Sequence, residues 1–237
     1  MKVSILIPYY GDRRRQLERS LLFLENQTYP DYEIVLIDDG AKEELPEFSD
    51  KVKYFKIRAD GVPSRSSNTA LRYGFKKCSG DIIIAGQPEL LVPYDAVEKM
   101  ITLSDMSRRN VAIQYHLTAE QIHSLPWGWE DDFERIKSVP NFWATMTPWL
   151  YTNEIAPRYR SHFSFSGSTT ERFEEYMIPD THEFGVEDAW VHVKELEKGE
   201  PSLPVEIETY HQEHDRVYGT IPEYSVRIKR IRDNRFE

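Results

Sequence analysis

The residues in this chain most able to do chemistry are three acidic clusters, a pair of histidines and one isolated arginine. Asp38-Asp39-Gly40 closes an apolar run, so its carboxylates can accept hydrogen bonds from a nucleobase or a ribose. The same tripeptide also makes an ordinary strand-ending turn. Gln87-Pro88-Glu89 follows a second apolar run and offers an amide carbonyl and a carboxylate, both hard oxygen donors of the kind a divalent cation takes. Glu187-Asp188 opens a helical pattern, a position that favours acidic residues on electrostatic grounds alone. His211 and His214 stand at the end of a late strand-like segment. A lone histidine is more often structural than a ligand, and the pairing at this spacing tips the balance towards metal binding. Arg65 lies just before a helix start at Ser67-Asn68, where a cation and a helix N-terminus together suit an anionic group. Arg13, Arg14 and Arg15 read as a solvated helix face.

The elements that must carry these residues alternate between two periodicities. Lys2 to Pro8 is a β-branched run, and Leu17, Leu21 and Leu24 then recur at helical spacing before the Glu33 to Ile37 run that ends at Asp38. Val52 to Ile57 predicts a more polar strand, Ser66 to Lys77 a helix, and Asp81 to Ala85 another strand. This order predicts βαβ units and a mostly parallel sheet flanked by helices, with ligands at the carboxyl ends of the strands. Further on, Val111 to His116 predicts a strand and Ala119 to Leu125 a helix, followed by an aromatic, loop-like stretch from Pro126 to Arg160. Helical spacing returns from Glu187 through Trp190, Val193 and Leu196 and stops near Gly199, and Val205 to Tyr210 alternates like a strand.

Composition narrows the class. With 237 residues, 40% hydrophobic and 30% charged, the chain can bury a core without disulfides, and its single Cys78 fits a reducing compartment. A net charge of -10 repels polyanions, so nucleic acid is excluded as an expected partner. No apolar run approaches the roughly 20 residues needed to cross a bilayer, and Val3 to Ile7 reads as a first strand rather than a leader. The cytoplasm is the expected location. Near the C-terminus, Arg227, Lys229, Arg230, Arg232 and Arg235 read first as a solvated helix face and second as a patch that could approach anionic lipid at the inner face of a membrane.

Residues 3 to 40, VSILIPYYGDRRRQLERSLLFLENQTYPDYEIVLIDDG, resemble the opening of a family 2 glycosyltransferase of the GT-A fold. Ser67-Asn68-Thr69-Ala70 and Gly80-Asp81 before an isoleucine run continue the likeness over roughly the first hundred residues. The resemblance implies a single GT-A-like α/β domain over 1–237, with a Rossmann-like nucleotide-sugar-binding half over about 1–100 and an acceptor-binding, catalytic half over about 101–237. It implies that Pro8, Tyr9, Tyr10, Asp38, Asp39, Arg65, Asn68 and Gln87 meet a nucleotide-diphosphate sugar, foremost a UDP-sugar. Gln87-Pro88-Glu89 stands where the family carries Asp-x-Asp, so Glu89, with His211 or His214, would hold a divalent cation, manganese rather than magnesium given the imidazole. Gly185-Val186-Glu187-Asp188 resembles the family's Gly-x-Glu-Asp; this implies Asp188 as the general base of inverting transfer and Glu187 as its helper. The acceptor would be a glycan, a lipid-linked group or another hydroxyl. Of Trp127, Trp129, Trp143 and Trp149, one or two are expected against an acceptor sugar. Two other functions remain open. A sugar nucleotidyltransferase would need a Gly-rich basic loop that Pro8 to Asp12 lacks, and a non-catalytic binding module is suggested by Gln87.

Overall fold

Burial on both faces is what the β-branched opening run demands, and it is what the run receives. A computed structural model describes residues 1–11, 13–58, 67–117, 157–158, 165–177 and 187–212. Strand β1 (Val3–Gly11) lies between β2 (Tyr32–Ala41) and β4 (Ile82–Gly86), parallel to both, and β3 (Val52–Arg58) extends the parallel set beyond β2. Helix α1 (Arg14–Leu24) links β1 to β2, and α2 (Asn68–Phe75) precedes β4. Side chains alternate between two layers. Val3, Ile5 and Ile7 pack with Ile34, Leu36, Ile82, Ile84 and α1's Leu17 and Leu21 in one core. Leu6, Val35, Ile37, Ile83 and Ala85 pack with α2's Ala70 and Leu71 in the other. A run without polar interruptions is therefore a strand covered from above and below.

The remaining strands continue the sheet in the order β3-β2-β1-β4-β8-β6-β9-β5, with β7 (Pro157–Arg158) paired to β6 (Asn110–Leu117). Strand β8 (Phe165–Thr169) is antiparallel to both β4 and β6, β9 (Leu203–Gln212) runs parallel to β6, and the short β5 (Leu90–Leu91) pairs antiparallel with the end of β9. Helices α3 (Ala96–Thr102), α4 (Thr170–Glu175) and α5 (Glu187–Lys198) complete the described elements. The expected strands at Val52, Asp81, Val111 and Val205 and the helix from Glu187 are present, whereas β5, α3, β8 and α4 were not anticipated. Leu196 corrects the reading of α5: it is exposed, and among the described side chains Val191, Val193 and Glu195 are buried. The expected helix at Ala119 to Leu125 lies outside the described residues.

Candidate active site at the carboxyl ends of the sheet

Strands β1, β2 and β4 are parallel neighbours, so their C-terminal turns open at one rim. Tyr9 stands opposite Asp38, and the register then slips so that Gly11 faces Ala41. Gly11 and Gly40 have φ of 78° and 89°, left-handed values that a side chain resists, so each turn leaves its strand sharply. Asp38 is wholly buried and serves its own turn: Oδ1 accepts from the Ala41 N–H at 2.7 Å, and Oδ2 accepts from the Tyr54 hydroxyl at 2.6 Å. Burial, and then that bond to Asp38, pushes the Tyr54 phenol well above its usual range. Asp39 forms an ion pair with the half-exposed Arg58 at 3.0 Å. Pro8 is buried. Tyr9, expected at the donor, is instead fully buried in the core; burial pushes its phenol to about 12, and its hydroxyl accepts the Arg13 N–H. Tyr10 is half-buried.

The third turn carries a charge cluster. Glu89 is buried, and its Oε2 meets the Arg13 Nη1 at 2.9 Å while its Oε1 lies 3.1 Å from His211 Nε2. Arg13 is only 3% exposed, which corrects its reading as part of a solvated face. Its Nε and Nη2 donate to the Tyr10 carbonyl, and the guanidinium lies 4.3 Å from the centre of the Tyr10 ring. Burial works against the Arg13 charge, but Glu89 and then Tyr10 outweigh it and raise its pKa. The end of β9 supplies the other side. Gln212 donates through both its backbone N–H and its Nε2 to the Glu89 carbonyl, each at 3.1 Å, and its Oε1 accepts from Arg19 at 3.2 Å. The structure thus brings Tyr10, read from the sequence as a nucleotide contact, together with Glu89 and His211, read as metal ligands, and adds Arg13 and Gln212. A signal for Arg13 did exist, because it follows directly on the first-strand loop, but its neighbours Arg14 and Arg15 disguise it.

Gln87 is half-buried beside Glu89, and its carbonyl accepts from the Leu90 N–H at 3.2 Å. Asn68 is fully buried at the first position of α2. Glu187 and Asp188 begin α5, but their side chains lie outside the described residues, as do Arg65, His214, the four Trp from Trp127 to Trp149 and the basic C-terminal segment. A groove of about 820 Å³ between α1 and residues 46–48 shares none of these residues, and its Glu18, Glu25 and Glu47 would repel a diphosphate.

A divalent cation of the kind the resemblance implies can be tested against these groups. Among the described residues, no cluster of three or more His, Cys, Asp or Glu side chains could hold a metal. Gln87 brings no charge, and the one carboxylate, Glu89, already balances a guanidinium. The described residues do not fit a bare divalent ion.

A model of the family "Glycosyl transferase family 2" matches residues 4–161. This chain belongs to that family. Among curated relatives of this family 2 glycosyltransferase, a dolichol-phosphate mannosyltransferase from Pyrococcus furiosus is 32% identical over 106 residues, covering 43% of this chain and 29% of that protein. An undecaprenyl-phosphate 4-deoxy-4-formamido-L-arabinose transferase from Pseudomonas syringae is 28% identical over 116 residues, covering 44% and 32%. The matched segment spans about a third of these curated relatives. Among solved structures, S. aureus TarS 1-349 in complex with UDP-GlcNAc superposes with a TM-score of 0.57 at 11% identity, covering 98% of this chain and 65% of that one. A mycobacterial protein gives 0.57 at 14% identity, covering 99% and 74%. These likenesses show the GT-A fold, as expected for a family 2 glycosyltransferase.

Proposed function

We propose that the chain transfers a sugar from a nucleotide-diphosphate donor, foremost a UDP-sugar, to an acceptor oxygen with inversion at the anomeric carbon. The observation that carries this reading is the meeting of the β1, β2 and β4 turns with the end of β9 at a single rim. On this reading Asp39 and Tyr10 at the ends of β2 and β1 receive the nucleotide, Gln87 faces the sugar, and Arg65 with Asn68 at the start of α2 meets the diphosphate.

In the transfer step the acceptor oxygen attacks the anomeric carbon from the face opposite the diphosphate. The new C–O bond forms as the bond to the leaving phosphate oxygen breaks, and the pair of electrons departs with the nucleoside diphosphate. A hydroxyl acceptor must also lose its proton, which Asp188 takes. The course of the chain supports that assignment. Lys198 at the end of α5 bonds Glu175 of α4 near the opposite rim, and only Gly199 to Ser202 separate α5 from β9. Asp188 thus stands at the end of α5 away from that link, as His211 stands at the end of β9 away from it.

The names of the two curated relatives favour a second acceptor, a polyprenyl phosphate. Its attacking oxygen is already anionic and needs no base. The basic C-terminal segment would suit such a lipid surface, and no helix among the described residues is long and apolar enough to cross a membrane. The test is nucleotide release from a panel of UDP- and GDP-sugars, offered either a glycan hydroxyl or undecaprenyl phosphate. Turnover with one acceptor class assigns it. No release with any pair, with or without manganese, would overturn the enzyme reading in favour of a binding module.

A further inference from the structure

We propose that Arg13 is a positioning residue that fills the cation's place against Glu89, so that this chain binds its nucleotide donor without a divalent metal. This rests on the donor reading above. Three features carry it. The first is charge: an Asp-x-Asp turn would present two carboxylates, whereas here Gln87 is neutral and Glu89 is balanced by Arg13 at 2.9 Å, both side chains 4% exposed. Among the described residues of this turn, an incoming divalent ion would find no net negative charge to answer its own and would lie beside a guanidinium that cannot release its proton.

The second feature is geometry. Arg13 donates to the Tyr10 carbonyl and to Glu89, and its Cζ lies over the Tyr10 ring. It therefore ties the first-strand loop to the turn after β4, a bridge that a metal between protein and diphosphate would otherwise make. Arginine suits that task because its planar fork can bond two partners at once. The third feature is how completely the carboxylate is engaged. The second oxygen of Glu89 faces His211, and its backbone carbonyl is held by Gln212, so the turn is fixed from two sides before any ligand arrives. Removing the guanidinium would leave a buried carboxylate facing an imidazole, which is the start of a metal site.

The test begins with Mn2+ alone, titrated calorimetrically into the full chain and into R13Q and R13K. Wild type should show no binding below millimolar Mn2+, and R13K, which keeps the charge, should behave likewise. R13Q should gain Mn2+ affinity on the order of tenfold or more, and adding E89Q to it should abolish the gain. UDP and GDP should bind wild type equally well in chelator and in Mn2+, and bind R13Q better with the ion. Tight Mn2+ binding by wild type, loss of UDP or GDP binding in chelator, or a folded R13Q with no gain would each overturn the proposal. If R13Q does not fold, the wild-type and R13K titrations still decide. Failure of both nucleotides to bind under every condition would instead sink the donor reading, leaving the metal titrations to judge Arg13.

Discussion

Individual side chains here divide between those that build the rim of the site and those that hold the opposite one. Glu33, at the start of β2, belongs to the second group. It accepts from Ser4 and Ser79 and pairs with Lys53 at 2.6 Å and Lys2 at 3.1 Å. Burial alone would raise its pKa, but Lys53 and the bonds from Ser4 and Ser79 hold it at about 2, below the ordinary 4.5. Because the folded-state value is depressed, its stabilisation is complete above about pH 4.5 and is lost as pH falls towards about 2. Glu33→Gln should therefore flatten the acid limb of stability in that window and cost about 1–2 kcal/mol at neutral pH, less than the full shift because both lysines are solvated. Denaturant melts across pH check this, with donor binding unchanged. Asp188→Asn should keep UDP-sugar binding and lower transfer to a hydroxyl on the order of a hundredfold or more, while transfer to a polyprenyl phosphate should fall far less; single-turnover assays separate the two. Residue-level reading of the sequence singled out Glu89 and His211 as metal ligands, and the fold sets them 3.1 Å apart with Glu89 paired to Arg13. The reading failed at Arg13, because one buried arginine inside a run of three looks like its solvated neighbours, and only the fold shows which of them turns inward.

At the scale of elements, legibility followed periodicity. Strands β1, β2 and β4 are dominated by apolar residues because helices cover both their faces, with Ser4 and Glu33 the polar pair near their starts. Strand β8 was illegible for the opposite reason. Its sequence, Phe165-Ser-Gly-Ser-Thr169, is short and polar, since Ser166 accepts from buried Arg109 and Gly167 lies against Met100 and Ile84. The same close packing sets the tolerance of two other glycines. At Gly80 an added Cβ would fall 2.6 Å from the Ser4 nitrogen and 2.8 Å from the Val3 carbonyl carbon, both backbone atoms at the start of β1. At Gly74 in α2 it would meet the Leu6 and Ile37 side chains at 2.3 and 2.7 Å, which can shift at a cost. Gly74→Ala should destabilise by about 1–3 kcal/mol, and Gly80→Ala by more, since the β1 and β4 backbones would have to separate. Equilibrium unfolding of the two variants gives the ranking, and equal losses would contradict it.

The described strands form one sheet, and the proposed donor site draws on residues spread from Tyr10 to His211, so occupancy should stabilise the entire chain. A donor nucleotide at a hundred times its dissociation constant should add about 2.7 kcal/mol, read as a rise in melting temperature that persists in chelator. Glu33→Gln should lower the starting point and leave the rise intact. The strand order carries a further consequence for how the protein is made. Strand β9, the last described in the chain, sits between β6 and β5, both synthesised well before it. Among the described strands β5 pairs only with β9, so a chain emerging from the ribosome must leave β5 without a sheet partner until the insertion of β9 beside β6. Until that insertion, Glu89 has neither His211 nor Gln212 beside it, and a translation product halted short of residue 203 would show its half-built pocket to chaperones rather than to substrate.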